Sequence, residues 1–173
     1  MLSMRVKIHW IGDGALGRIG LMPRPRGGDW LEDEVRSLRA SGADVLVSLL
    51  EPQEIGELNL LEEKALCEAN GITYLSFPIP DRGLPREGRD ALEFARRLAS
   101  LLAEGKGVVI HCRQGIGRSS MIAAITLALR GVPAGAIFEA IGQARGCSVP
   151  DTLEQREWTL GLIGRTVTPG RPA

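Results

Sequence analysis

The sequence predicts an α/β fold in which a mainly parallel central sheet is flanked by helices on both sides. Short β-branched runs at 45–50, 72–77 and 108–110 alternate with longer stretches of helical periodicity, the pattern of parallel strands joined by crossover helices. The run 108–110 is apolar throughout rather than alternating, as expected of a strand covered on both faces. Gly42, Gly71, Gly105, Gly131 and Gly146 punctuate the ends of the helical stretches, where a left-handed residue commonly stops a helix.

Taken in order, residues 6–11 read as a strand, 12–17 as a turn, and 18–22 as a short extended piece stopped by Pro23 and Pro25. Asp29 with Glu32 is a capping-box pattern, and Leu31, Val35 and Leu38 recur at helical spacing after it. A buried strand follows at 45–50. Asn59 with Glu62 marks the next helix start, with Leu61, Ala65 and Leu66 on its apolar side, and Cys67 is expected to be a packed side chain within it. After the strand at 72–77, residues 86–103 form a third helix with Ala91, Phe94, Ala95, Leu98 and Leu102 on one face. Residues 121–129 are helix-forming, Pro133 opens a helix striped by Ile137, Ala140, Ile141 and Ala144, and Asp151 with Glu154 caps a last helix to about Leu162. We expect a single domain over residues 1–165 and a frayed tail over 166–173.

Composition narrows the function classes. Lys plus Arg and Asp plus Glu number 21 each, so net charge gives no reason to expect nucleic acid or an anionic membrane as the main partner. The longest apolar run falls far short of the roughly 20 residues a membrane helix requires, and no signal-peptide core precedes it. Three cysteines, Cys67, Cys112 and Cys147, are too few and scattered for a disulfide framework or a zinc cluster. A reducing cytoplasm is the expected location, and no metal or other cofactor is implied.

The chemistry concentrates at residues 108–120, where a strand hands over to a helix through His111-Cys112-Arg113-Gln114-Gly115-Ile116-Gly117-Arg118-Ser119-Ser120. Such a loop aims successive backbone N–H groups and the positive end of the helix at one point, which favours a bound dianion. The same field favours a thiolate: an ordinary cysteine titrates near ~8.5, and a helix N-terminus with a nearby guanidinium can bring it to roughly 3.5–7.5. Arg118 is placed to grip phosphate oxygens as a planar fork. Gly115 and Gly117 allow backbone angles and close approach that side chains would obstruct, and the Ser119 hydroxyl is placed to hydrogen-bond the Cys112 sulfur. A nucleotide-binding loop fits less well, since it requires Gly-Lys-Ser/Thr and no cysteine. A Cys–His protease fits worse still, because adjacent strand residues face opposite ways and His111 would point away from Cys112. His9, the other histidine, reads as an N-terminal strand residue.

A phosphate ester leaving as an alkoxide or phenoxide needs a proton. Asp81 is the only carboxylate in the loop Pro78-Ile79-Pro80-Asp81-Arg82-Gly83-Leu84-Pro85 that follows the strand at 72–77; Glu87 and Asp90 are alternatives nearer a helix start. Hydrolysis of a phosphocysteine would need a positioned water, and Gln155, one turn into the last helix, offers an amide for it.

These residues resemble the cysteine-based protein tyrosine phosphatases, in their small dual-specificity branch, which includes kinase-associated phosphatase and similar bacterial and archaeal enzymes. Residues 111–119 match the signature loop, 78–85 the acid loop, and Arg145-Gly146 through Thr152 to Gln155 the region of the water-positioning glutamines; the likeness spans about 78–158. It implies a phosphatase-like fold and a two-step, metal-free reaction in which Cys112 is the nucleophile, Arg118 binds the phosphoryl group, Asp81 is acid and then base, and Ser119 assists release of the thiolate. Residues 113–118 would form the phosphate-binding loop. Asp151 stands where relatives often carry the first of two glutamines, so Gln155 alone transfers. No segment resembles the tyrosine-recognition loop of the larger enzymes. The expected substrate is a phosphorylated protein or peptide, on tyrosine or on serine and threonine. Arg113, a second cation in the loop, keeps a phosphoinositide alternative open beside an RNA 5′-phosphatase and a catalytically dead phosphate-binding module.

Overall fold

The computed structural model describes residues 6–15 and 17–167. Among these residues five strands, β1 (His9–Trp10), β2 (Arg18–Met22), β3 (Val45–Ser48), β4 (Thr73–Ser76) and β5 (Gly107–His111), form one sheet. Its spatial order is β1, β2, β5, β3, β4; β1 runs antiparallel to β2 and the other pairings are parallel. The helices are α1 (Leu31–Ala40), α2 (Pro52–Glu57), α3 (Glu63–Ala69), α4 (Gly88–Ala103), α5 (Arg118–Leu129), α6 (Ala134–Arg145) and α7 (Leu153–Thr166).

Strand alternation divides the core into two layers. Val45, Val47, Val108 and Ile110 pack with Ala91 and Leu98 of α4 and Ile122 and Ile125 of α5, whereas Leu46 and Val109 pack with Val35 and Leu38 of α1 and Cys67 of α3. Each fully buried aliphatic side chain contributes about 1.5–3 kcal/mol relative to exposure, so a one-residue slip of β5 would forfeit contacts in both layers at once. Helix α5 is buried from Arg118 to Ala128 because α4, α6 and α7 all pack against it. Its N-terminus is therefore fixed at the carboxyl end of the sheet, where the loop from β5 arrives.

Several sequence expectations are corrected. The strand expected over 6–11 pairs only at His9–Trp10, and the "short extended piece" at 18–22 is an interior strand between β1 and β5. Asp29 and Glu32 form no capping box: a 3₁₀ turn at Gly28–Trp30 leads into α1. The helix expected from Asn59 begins only at Glu63, Asn59 itself is left-handed at φ 55°, and Leu61, expected on the apolar side, is 74% exposed. Ahead of it lies α2, which the sequence reading omitted. It is started by Pro52 and a reciprocal cap between Glu51 and Glu54, a weak signal because glutamate is not among the preferred N-cap residues. The cap of α7 is Thr152 rather than Asp151, closed by the Gln155 side chain instead of Glu154. That helix runs four residues past Leu162, so Thr166 is helical and Val167 is its C-cap; residues 168–173 of the expected tail lie outside the described residues. No helix among the described residues is long and apolar enough to cross a membrane.

Candidate active site

Continuing the alternation of β5 puts His111 on the α1/α3 side and Cys112 on the α4/α5 side. Cys112 is 3% exposed and forms the floor of the loop. Its Sγ lies 3.3 Å from Ser119 Oγ and accepts the Gly115 N–H at 3.3 Å. Burial alone would push this thiol up; the Ser119 hydroxyl and N–H, the Arg118 charge and the Gly115 N–H outweigh it and hold Cys112 below its ordinary value.

The loop's path requires its glycines. Gly115 is left-handed at φ +69°, and a Cβ there would sit 2.3 Å from the Met22 carbonyl oxygen. A Cβ on Gly117 would meet Asp151 Oδ2 at 2.2 Å and Gln155 Oε1 at 3.0 Å. Three further hydrogen bonds fasten the loop from outside: Arg24 N–H donates to the Arg113 carbonyl at 3.1 Å, Arg145 Nε to the Gly115 carbonyl at 2.8 Å, and Arg145 Nη2 to the Gln114 carbonyl at 3.0 Å. Ile116 packs against the larger core layer, while Gln114 remains exposed.

Arg118 is almost fully buried and multiply bound. Nη1 donates to Glu54 Oε2 at 2.7 Å and to the Ile79 carbonyl at 3.0 Å; Nη2 donates to Glu54 Oε1 at 3.0 Å and to Asp81 Oδ1 at 3.1 Å. Burial would raise the Glu54 carboxyl, but the bonds from Arg118 and from the Glu51 N–H, with Arg113 nearby, hold it below the usual carboxylate range. Glu54 thus orients the fork. The same carboxylate lies 3.4 Å from Arg113 Nε, and Glu57 lies 3.6 Å from Arg113 Nη2.

Asp81 is brought to the site by its turn. Gly83 N–H donates to the Pro80 carbonyl at 2.8 Å, which places Asp81 and the left-handed Arg82 (φ 56°) at the tip. The Asp81 side chain is 54% exposed. Gln155, by contrast, is fully buried: its Nε2 donates to the Gly83 carbonyl at 3.1 Å and its Oε1 accepts from the Thr152 N–H at 3.3 Å. It therefore ties the start of α7 to the turn carrying Asp81. Asp151, freed from capping, joins Asp81, Arg82, Cys112, Arg113, Gln114 and Arg118 around a pocket of about 70 Å³. A larger groove of about 390 Å³ lies on the other side of the loop, lined by Lys7, His9, Arg24, Arg26, Arg145 and neighbours. It contains none of Cys112, Arg118 or Asp81, and these candidate reactive groups converge in the smaller pocket.

Sequence reading missed Glu54, and it placed Arg145 and Thr152 in the motif region without their roles as loop clamp and helix cap. A Pro-x-Glu after a buried strand was the available signal for Glu54, and Thr-x-x-Gln for Thr152. Nothing local marks Arg145 as a clamp on a loop 30 residues earlier.

A family model described as "polymorphic toxin system, DSP-PTPase phosphatase" matches residues 20–131. Among curated proteins, cyclin-dependent kinase inhibitor 3 of Rattus norvegicus is 29% identical over 97 residues, covering 56% of this chain and 45% of that protein. The Mus musculus protein is 32% identical over 98 residues, covering 56% and 44%, so the matched stretch spans less than half of either relative. Among solved structures, kinase associated phosphatase with its catalytic-site cysteine changed to serine superposes with TM-score 0.81 at 19% identity, covering 90% of this chain and 93% of that one, a likeness of fold. Tk-PTP in its active form gives TM-score 0.68 at 30% identity, covering 86% and 91%. With the expected fold found and nearly two thirds of its length matched by the family model, the chain belongs to the DSP-PTPase phosphatases, the small dual-specificity branch of the cysteine-based tyrosine phosphatases.

Proposed function

We propose that this chain hydrolyses phosphoprotein monoesters, on tyrosine or on serine and threonine, through a metal-independent phosphocysteine intermediate. The observation that carries the reading is the convergence of Cys112, Arg118 and Asp81 on one pocket, with the sulfur already hydrogen-bonded to Ser119 and Gly115. The Cys112 thiolate attacks phosphorus, the S–P bond forms as the P–O bond to the substrate breaks, and the departing oxygen takes a proton from Asp81. Loop N–H groups and Arg118 hold the phosphoryl oxygens as charge shifts among them. In the second step water attacks phosphorus, Asp81 takes its proton, and the S–P bond breaks to release inorganic phosphate. Ser119 stabilises the returning thiolate, and Gln155, whose amide is bound to Thr152 and Gly83, serves the water step by fixing the turn that carries Asp81.

A phosphoprotein is favoured over a phosphoinositide because the loop's second cation is already engaged: Arg113 faces both Glu54 and Glu57. The balanced charge of 21 acidic and 21 basic residues likewise gives no support to an RNA substrate. The reading is tested with a panel of phosphotyrosine, phosphothreonine, phosphoinositide and RNA 5′-phosphate substrates, with trapping of a 32P-labelled protein after rapid acid quench. Turnover of phosphopeptides and label on Cys112 are expected; label elsewhere, or turnover confined to lipid or RNA, overturns it.

A further inference from the structure

Behind the loop, on the face of the sheet away from Cys112, lies a buried charged pair that the reaction above does not use. Glu63 opens α3 and His111 closes β5; both are essentially unexposed, and His111 Nε2 stands 2.8 Å from Glu63 Oε1. His111 Nδ1 lies 3.1 Å from the Cys112 carbonyl oxygen. A carbonyl only accepts, so Nδ1 carries a proton, and the state of the ring is decided at Nε2. Neither carboxylate oxygen of Glu63 nor Nε2 has a well-aligned hydrogen-bond partner among the described residues. A buried carboxylate placed so is tolerated when an opposite charge stands beside it, and the ring at 2.8 Å is what the structure offers.

The other groups around the pair do not supply that charge. Tyr74 of β4 faces Glu63 and Ser48 and is pushed up to about 12, by burial first and then by Glu63. Cys67 of α3 is likewise pushed up to about 12, by burial and then by Glu63 and Glu68. Both therefore remain neutral. Ser48 of β3 and Met22 of β2, the strand neighbours of His111, are uncharged.

We propose that Glu63 is a positioning residue for the nucleophile: it keeps His111 as an imidazolium, and that cation, bound to the Cys112 carbonyl, holds the loop entrance and favours the thiolate on the next residue. Burial opposes the charge on His111, but Glu63, the Cys112 carbonyl and the Cys112 charge outweigh it and raise the imidazole above its ordinary value. The last of these is mutual: if the thiolate favours the imidazolium, the imidazolium favours the thiolate. A second acid, on a helix distant in sequence, thereby acts on the reactive sulfur through one intervening ring.

The inference rests on Cys112 acting as a thiolate, as the proposed function requires, and its test does not depend on turnover. In wild-type protein, nitrogen NMR of the imidazoles, with His9→Gln to assign the two, is expected to show both His111 nitrogens protonated at neutral pH. A deprotonated nitrogen there overturns the proposal. In Glu63→Gln, which keeps shape and removes charge, titration of the Cys112 thiolate by ultraviolet absorbance and by iodoacetamide alkylation is expected to move upward by about one unit, near tenfold slower alkylation below the midpoint. A change in thermal stability with an unmoved thiolate titration reduces Glu63 to packing and overturns the proposal. If Glu63→Gln does not fold, the wild-type spectrum decides. A moved titration in a protein that hydrolyses no phosphoester upholds the pair and removes the phosphatase reading; an active wild type with an unmoved titration does the reverse.

Discussion

Arg118 Nη2 donates to Asp81 Oδ1 at 3.1 Å, so the candidate phosphate ligand and the candidate acid are bound to each other. In the proposed reaction a phosphoryl group arriving at Cys112 would compete with Asp81 for the same guanidinium and release the carboxyl toward the leaving oxygen. Asp81→Asn weakens that competition and removes a negative charge from the pocket. Vanadate should therefore bind the variant more tightly than wild type. General acid catalysis contributes about 10²–10⁴ in rate, so turnover of phosphotyrosine or phosphothreonine should fall by that order, while an aryl phosphate with an acidic phenol loses much less. A uniform loss across leaving groups, with unchanged vanadate affinity, would assign Asp81 to shaping the turn.

Cys112→Ser should abolish turnover while phosphate affinity survives, because the N–H groups and Arg118 remain. Arg118→Lys should also be severely impaired: a single ammonium cannot replace a fork that contacts Glu54, Ile79 and Asp81 together. Steady-state kinetics with isothermal titration of phosphate separates the two losses.

The three cysteines provide a graded test of thiolate activation. Cys147 is exposed, Cys67 is buried with its thiol pushed up to about 12, and Cys112 is buried at the pocket floor but held below its ordinary value. Peroxide at neutral pH should oxidise Cys112 first despite its small exposure, with rescue by thiols if it stops at a sulfenic acid. Mass spectrometry that finds Cys147 modified first would show that exposure, not the loop, governs reactivity.

Much of this was legible in the sequence because local rules and burial agree. The 108–110 run, the helix stops and the loop order each follow from periodicity or turn chemistry, and β5 with α5 delivers Cys112 and Arg118 where the sequence places them. What was not legible depends on contacts between remote segments. Glu54 lies 64 residues before Arg118, and α2, which carries it, is a six-residue helix too short to show a periodicity. Asp151 and Gln155 traded roles for a similar reason: two capping patterns overlap at 151–155, and tertiary contacts with Gly83 and Gly117 choose Thr152 with Gln155.

The Glu54–Arg118 pair predicts a specific acid sensitivity. Removing one partner of a buried pair typically costs about 3–5 kcal/mol, so Glu54→Ala should unfold at markedly lower denaturant concentration than wild type, and Glu54→Gln should lose less. Because the folded carboxyl is held below its ordinary value, its contribution is fully present above the unfolded carboxylate's range and is lost as pH falls through the lowered folded value. Denaturant melts of wild type and Glu54→Gln should converge as pH drops into that window.

A final prediction concerns the outer clamp on the loop. His9 Nδ1 lies 3.1 Å from the Ala144 carbonyl, which only accepts, so Nδ1 carries the proton and neutral Nε2 can accept from Arg145 Nη1 at 2.6 Å. The same Arg145 donates to the Gly115 and Gln114 carbonyls. Burial, and then the Arg145 and Lys7 charges, hold His9 below the ordinary imidazole value against the opposing Ala144 bond. Stability from this arrangement is therefore present above the unfolded imidazole value and is lost as pH falls through the lowered folded one. Protonated His9 cannot accept from Arg145 and repels it, so the clamp should loosen on the acid side. His9→Gln, whose amide oxygen accepts from Arg145 at any pH, should flatten that part of the stability profile; Arg145→Ala should lower kcat and speed amide exchange at Gly115 at every pH. Identical stability profiles for wild type and His9→Gln between neutral and mildly acidic pH would show that the loop is held without this histidine.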